Sequence, residues 1–226
     1  MHIKRYMMPK FWPLAKKMKT FVVTPAPGPH PKRSCIPLLV VLRDVLGYVE
    51  TATEARKVLN RREVMVDKKV VREEKYPVGL MDVIEFPSIN KHFRVLVGHK
   101  GLELKEAHAK DSSKKLCSIK RKTVIKGGKF QITLHDGRNI IVGKENKYKP
   151  GDSVLIEVPT QKILEHWQIK PGVNALIVSG KNMGVAGKIK AVHDRDSMLV
   201  RGRVVVETAH GDIETLKDYV LVGEIK

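Results

Sequence analysis

The chain has 226 residues with 42% hydrophobic side chains, enough for one or two ordinary domains and too many for wholesale disorder. Forty-three Lys and Arg against 24 Asp and Glu leave a net charge of +19, which makes a polyanion the leading partner. Two cysteines, Cys35 and Cys117, exclude a disulfide scaffold and a four-cysteine zinc site, and sparse cysteine usage fits a reducing cytosol.

The first forty residues hold eight Lys or Arg, no Asp or Glu, and seven of the twelve prolines. Thr24-Pro25-Ala26-Pro27-Gly28-Pro29-His30-Pro31 is excluded from helix and central strand, because proline lacks the N–H and fixes φ. It reads as an extended strap. Tyr6, Phe11, Trp12 and Phe21 interrupt the cations. Alone, this arm buries too little to offset its ordering entropy, so it is expected to order on something else. An RNA groove offers phosphates for the cations and unpaired bases for the rings. The alternative is a solubilising basic tail, which leaves Trp12 without a purpose.

Pro37 suits the first turn of a helix and Gly47 its end, with Leu38, Leu39, Val41, Leu42, Val45 and Leu46 as an apolar stripe. The longest clean apolar run, at 38–42, is far short of the ~20 residues a spanning helix needs. No apolar core of secretory type stands at the N-terminus, so no membrane is expected and the cytoplasm is the default. Thr51 and Glu54 fit a capping box opening a second helix, with Ala52, Ala55, Val58 and Leu59 on one side. Lys57 and Arg61 project roughly opposite, toward phosphates or toward plain solvent. Val64-Met65-Val66, Asp67-Lys68-Lys69 and Val70-Val71 read as a hairpin; lacking the preferred Gly, its turn is expected to be longer or distorted. Two short helices and a hairpin resemble the S4-type RNA-binding module. A strand reaching Ile84 is then expected to pair with Phe93-Arg94-Val95-Leu96-Val97.

From residue 102 onward, short strands alternate with turn residues. Residues 116–124 surround the cationic knot Lys120-Arg121-Lys122. Lys126-Gly127-Gly128-Lys129 reads as a hairpin corner rather than a phosphate cradle, and no Walker pattern is present. His135-Asp136-Gly137-Arg138 and residues 147–153 are further turns. At 174–189 a strand ends near Gly180, a loop carries Lys181 and Asn182, and Gly184 and Gly187 lead into a second strand. This segment resembles the KOW motif of ribosomal and transcription-elongation proteins; the bland alternative is a turn with conformational glycines.

No histidine pair has His-Glu-x-x-His spacing and neither cysteine has a close partner, so no metal or cofactor is expected. His193-Asp194-Arg195-Asp196-Ser197 superficially resembles a pseudouridine-synthase motif but lacks the spacing and a catalytic-sized domain around it, and reads as a polar turn.

Taken in order, His2-Ile3-Lys4-Arg5 with Pro9, Trp12-Pro13-Leu14, Pro27-Gly28-Pro29-His30, residues 77–84, residues 126–129, residues 135–139 and the KOW-like segment resemble the archaeal and eukaryotic small-subunit ribosomal protein family S4e over essentially the whole chain. The resemblance implies a structural, non-enzymatic constituent of the small ribosomal subunit, in contact with ribosomal RNA and neighbouring ribosomal proteins, with no small-molecule substrate. It also implies an α+β, mostly β fold. Residues 1–37 would be an extended arm and 38–91 an S4-type module. Residues 92–170 would be a central β-barrel-like domain and 171–226 a KOW-type SH3-like barrel. The RNA-binding candidates are His2, Lys4, Arg5, Lys10, Trp12, Lys16, Lys17, Lys32 and Arg33 in the arm. Arg56, Lys57, Arg61 and Arg62 form a helical face, Lys120, Arg121 and Lys122 a third contact, and Lys181 with Asn182 a fourth. A KOW-bearing transcription-elongation factor and an RNA-modifying enzyme using Asp196 are the rival readings.

Overall fold

The computed structural model describes residues 2–143, 147–195, 197, 200–209 and 211–223. Asp196 lies outside the described residues. The fold is mostly β, and the chain divides into two compact units, Met1–Ser113 and Lys114–Lys226.

The first unit opens with β1 (His2–Lys4), which pairs antiparallel with β2 (Phe21–Val23). Then come β3 (Cys35–Pro37), the single helical turn α1 (Leu38–Val40), which widens into a π turn at Val41–Val45, and α2 (Ala52–Asn60). The first helix expected between Pro37 and Gly47 is thus an α turn continued by the π turn, ending just before Gly47 at φ 66°. Residues 38–42 are buried on every side, so this segment behaves as a core plug and presents no amphipathic stripe. In α2 the capping box is formed: Glu54 N–H donates to Thr51 Oγ1, and the Glu54 carboxylate accepts from the Thr51 and Glu50 N–H groups. Ala55 and Leu59 are fully buried, as the helical period requires.

β4 (Met65–Val66) and β5 (Lys69–Val70) form a tight two-residue hairpin, which corrects the expectation of a longer loop. Asp67 and Lys68 both sit at positive φ, 50° and 63°, as a type I′ turn demands. Tertiary bonds hold them there. Asp67 accepts the Val83 N–H at 3.0 Å, and Lys68 Nζ reaches Glu85 at 2.9 Å and Ser112 Oγ at 2.7 Å. β6 (Pro77–Gly79) pairs with β3, while β7 (Val83–Phe86), β8 (Lys91–Gly98) and β9 (Gly101–Glu106) complete a sheet ordered β5-β4-β7-β8-β9. The boundary expected at 91/92 falls inside this sheet, where Lys91 of β8 already faces Phe86 of β7. Strand pairing continues to Glu106 in β9, and the first unit extends to Ser113.

In the second unit, β10 (Lys114–Val124) pairs along its first half with β13 (Ser153–Glu157) and along its second with β11 (Phe130–Leu134). The register slips by one residue at Lys120, a bulge that lets one strand serve both directions around the core. β12 (Asn139–Val142) and β14 (Ile163–Trp167) are the edges of this sheet. Its core holds Cys117, Ile119, Ile132, Leu134, Val154 and Ile156. A second five-stranded sheet, ordered β18-β17-β16-β15-β19, is built from β15 (Asn174–Ile177), β16 (Ala186–His193), β17 (Arg203–Thr208), β18 (Gly211–Leu216) and β19 (Val220–Val222). It closes over Ala175, Ile189, Val204, Val206, Val220 and Val222.

Candidate nucleic-acid interface

The proline-rich arm is folded against the first unit, not extended from it. Trp12 is 3% exposed, and its Nε1–H donates to the Cys35 carbonyl at 2.9 Å. Met8 and Val22 are buried with it. The Leu102 N–H donates to the Phe11 carbonyl, which approaches so closely that a Cβ on Gly101 would stand 2.0 Å from that oxygen. His30 is 4% exposed and its Nε2 lies 2.9 Å from both carboxylate oxygens of Asp82. The ring fits only because residue 79 is glycine, since a Cβ there would meet it at 2.4 Å. Asp82 also accepts the Gly79 N–H, so one carboxylate ties the strap to β6. The Ala26 N–H donates to the Lys75 carbonyl.

These contacts reassign two candidates. Trp12 is a core residue and offers no ring for stacking, because folding the arm back buries its apolar anchors first. Arg5 is 3% exposed, its backbone N–H donating to Thr20 O and its Nε to Ala15 O at 2.7 Å, so its side chain closes the excursion between β1 and β2. What remains outside is a cationic surface. His2, Lys4, Lys10, Lys16, Lys17, Lys19, Lys32 and Arg33 are all exposed. Tyr6 and Phe21, 79% and 50% exposed, are the rings the arm presents. Lys16 Nζ stands 5.7 Å from the Tyr6 centroid, and His2 meets Phe21 edge-on at 4.4 Å.

On α2, Arg56, Lys57 and Arg61 are exposed opposite the buried Ala55 and Leu59. Arg56 makes a two-pronged bond to Glu74, 2.8 and 3.2 Å. Arg62 is exposed at φ 62°, just past the helix end. In the second unit, Arg121 is exposed, whereas Lys120 reaches the Asp218 carbonyl at 3.3 Å. Lys122 donates to the Tyr148 carbonyl at 2.9 Å and lies 4.2 Å from the Phe130 centroid. Lys120 and Lys122 are therefore held toward different neighbours. Lys181 is exposed and Asn182 half-buried in the loop between β15 and β16, where the Gly184 N–H donates to Ile177 O and the Val185 N–H to Asn182 O.

Several charges are paired within the chain. Lys115 and Asp136 are both 1% exposed along their side chains and lie 3.1 Å apart, with Arg138 3.3 Å from the same carboxylate. Burial raises the Asp136 carboxyl, but Lys115, His135 and Arg138 outweigh it and hold the group below the usual carboxylate range. Sequence reading took Asp136 as part of a turn and missed the pair, because the strand it read began at Leu116, whereas β10 begins at Lys114 and takes in Lys115. In the last sheet Lys190–Asp212 and Arg203–Glu214 pair cation with acid, and beside it so do Lys217 and Asp194. Among the described residues no cluster of His, Cys, Asp or Glu suits a metal ion, and no helix is long and apolar enough to cross a membrane.

Residues 89–163 match the ribosomal family S4e, residues 1–33 the RS4NT domain and residues 36–84 the S4 domain. The chain is 43% identical to the small ribosomal subunit protein eS4 of Methanocaldococcus jannaschii, over 98% of this chain and 93% of that protein. It belongs to the ribosomal protein family S4e. The eS4 protein of Methanococcus aeolicus is 42% identical over 100% of this chain and 95% of its own length. The solved 30S ribosomal protein S4e of Thermoplasma acidophilum aligns with TM-score 0.72 and 31% identity, over 84% of this chain and 94% of that one. Family membership accounts for the S4-type pattern in α1, α2 and the β4–β5 hairpin.

Proposed function

We propose that this protein is a structural constituent of the small ribosomal subunit and holds ribosomal RNA at several separated basic surfaces, with no catalysis of its own. The observation that carries this reading is the arm, whose Trp12 and His30 are buried while every one of its lysines faces outward with no acid in the first forty residues. A solubilising tail would not be anchored in this way. An anchored, acid-free surface is suited to a dense row of phosphates.

The contacts we assign are His2, Lys4, Lys10, Lys16, Lys17, Lys32 and Arg33 on the arm, with Tyr6 and Phe21 as its stacking rings. Arg56, Lys57, Arg61 and Arg62 give a second surface, Lys120, Arg121 and Lys122 a third, and Lys181 with Asn182 a fourth. Most are lysines, so RNA is recognised mainly through its backbone and shape. In this reading residues 171–226 form a KOW-type SH3-like barrel, supported by five antiparallel strands around one small core. The strands of that sheet present paired charges, which suits a face turned to neighbouring ribosomal proteins.

The test is binding to small-subunit ribosomal RNA across a salt series, with sedimentation of lysate to find the chain in the small-subunit fraction. With six to ten phosphates neutralised, affinity falls by about three to five decades between 50 and 200 mM salt. A shallow slope, or co-sedimentation with RNA polymerase instead, overturns the reading.

A further inference from the structure

We propose that the open pocket between the end of α2 and β5 receives one unpaired base of an RNA strand. This rests on the RNA-binding reading and adds a specific subsite to it. The pocket has a volume of about 440 Å³ and is lined by Arg62, Lys69, Val70, Val71, Arg72, Glu73 and Tyr76. Its walls are mostly apolar. Val70 stays 40% exposed there, a large apolar side chain at a surface otherwise ringed with charge. Walls and rim ask for different chemistry. An acidic peptide would pair with the cations and leave the valine walls unused. An apolar peptide side chain would fill the walls and strip water from Arg62, Lys69 and Arg72 without replacing it. A nucleotide satisfies both at once, its ring against Val70 and Tyr76 and its phosphates on Arg62, Lys69 and Arg72.

Two details favour an anionic guest. Three cations, Arg62, Lys69 and Arg72, outnumber the one lining acid, Glu73, whose carboxylate accepts the Lys75 N–H at 3.3 Å. Arg62 occupies the position after the α2 cap, its N–H bonded to Leu59 O and the Glu63 N–H bonded to Val58 O. That motif normally takes glycine, because φ is positive. The chain keeps arginine there at φ 62° and gains a guanidinium on the pocket. Sequence reading stopped at Arg61 and Arg62, since Val70-Val71 read as an ordinary strand and Lys69, Arg72 and Tyr76 carried no pattern of their own.

The experiment is methyl NMR of the valine-labelled full chain, titrated with uridine and adenosine monophosphates, inorganic phosphate, and a short single-stranded oligouridylate. Saturable ring-current shifts of the Val70 and Val71 methyls are expected with the nucleotides and the oligomer, and none with phosphate. The oligomer should half-saturate at a concentration about tenfold lower than the mononucleotide, because neighbouring phosphates join the rim. Equal affinity would assign the pocket to a free nucleotide and overturn the RNA reading of it. Arg62→Gly should weaken the titration about tenfold while leaving Tm unchanged or raised, and Val70→Asp should abolish the methyl response. Valine methyls unmoved by every nucleotide, in a chain that still binds small-subunit RNA, would sink the pocket and leave the broader function intact. Loss of both would sink the two together.

Discussion

Replacing Trp12 with alanine tests whether the arm belongs to the fold of the first unit. The indole is 3% exposed, and its N–H donates to the buried Cys35 carbonyl at 2.9 Å. Emptying a buried tryptophan site costs about 3–5 kcal/mol. Stranding the carbonyl adds about 1–3 kcal/mol where water cannot enter. The sum, about 4–8 kcal/mol, rivals the 5–15 kcal/mol that hold a typical domain together. Trp12→Phe separates the two contributions: it keeps most of the ring and should lose mainly the hydrogen bond, about 1–3 kcal/mol. Chemical denaturation followed by far-UV circular dichroism measures the stability. Hydrogen exchange with mass spectrometry locates the damage, since peptides covering residues 22–42 and 76–83 should lose protection first. A Trp12→Ala chain with an unchanged midpoint and unchanged exchange there would refute the docked arm. Deleting residues 1–33 should likewise destabilise the first unit, because both Trp12 and His30 go with it.

Asp136→Asn removes the carboxylate charge that lies 3.1 Å from the buried Lys115 ammonium and should cost about 3–5 kcal/mol at neutral pH. The Asp136 carboxyl is held below its ordinary value, so the pair's contribution is complete above about pH 4 and fades as pH falls through the lower folded value. The Tm gap between wild type and variant should therefore narrow on acidification; a gap that widens would contradict the pair. Burial, helped by the Asp82 charge, pushes the Cys35 thiol up to about 12, and the residue is wholly buried. It should resist alkylation at about pH 8 in the native chain and react only on unfolding, as mapped by mass spectrometry. Asp67→Ala removes the acceptor of the buried Val83 N–H and the side chain that tolerates positive φ. A loss of about 1–3 kcal/mol in denaturant midpoint is expected, and a neutral result would show that the turn holds without it.

Local features were legible where neighbours in sequence decide them. The Thr51–Glu54 box and the buried Ala55 and Leu59 follow from a 3.6-residue period and from bonds spanning one turn. The pairing of Ile84 with Phe93 follows from two apolar runs separated by a short polar loop. Positions decided by distant partners were not legible. Nothing near Asp67-Lys68 announces that Val83, Glu85 and Ser112 will hold a glycine-free turn at positive φ. Nothing near Lys115 says that Asp136 will neutralise it.

The sequence by itself determined the sign and placement of the charge, the family and the mostly β character, because composition and short-range periodicity survive in a linear string. Only the tertiary structure decided that Trp12 and Arg5 turn inward while Tyr6 and Phe21 stay outside, and that strands up to residue 106 join the first unit. Burial is a property of what packs against a side chain. For the arm that partner lies as far along the chain as Leu102, whose N–H meets the Phe11 carbonyl.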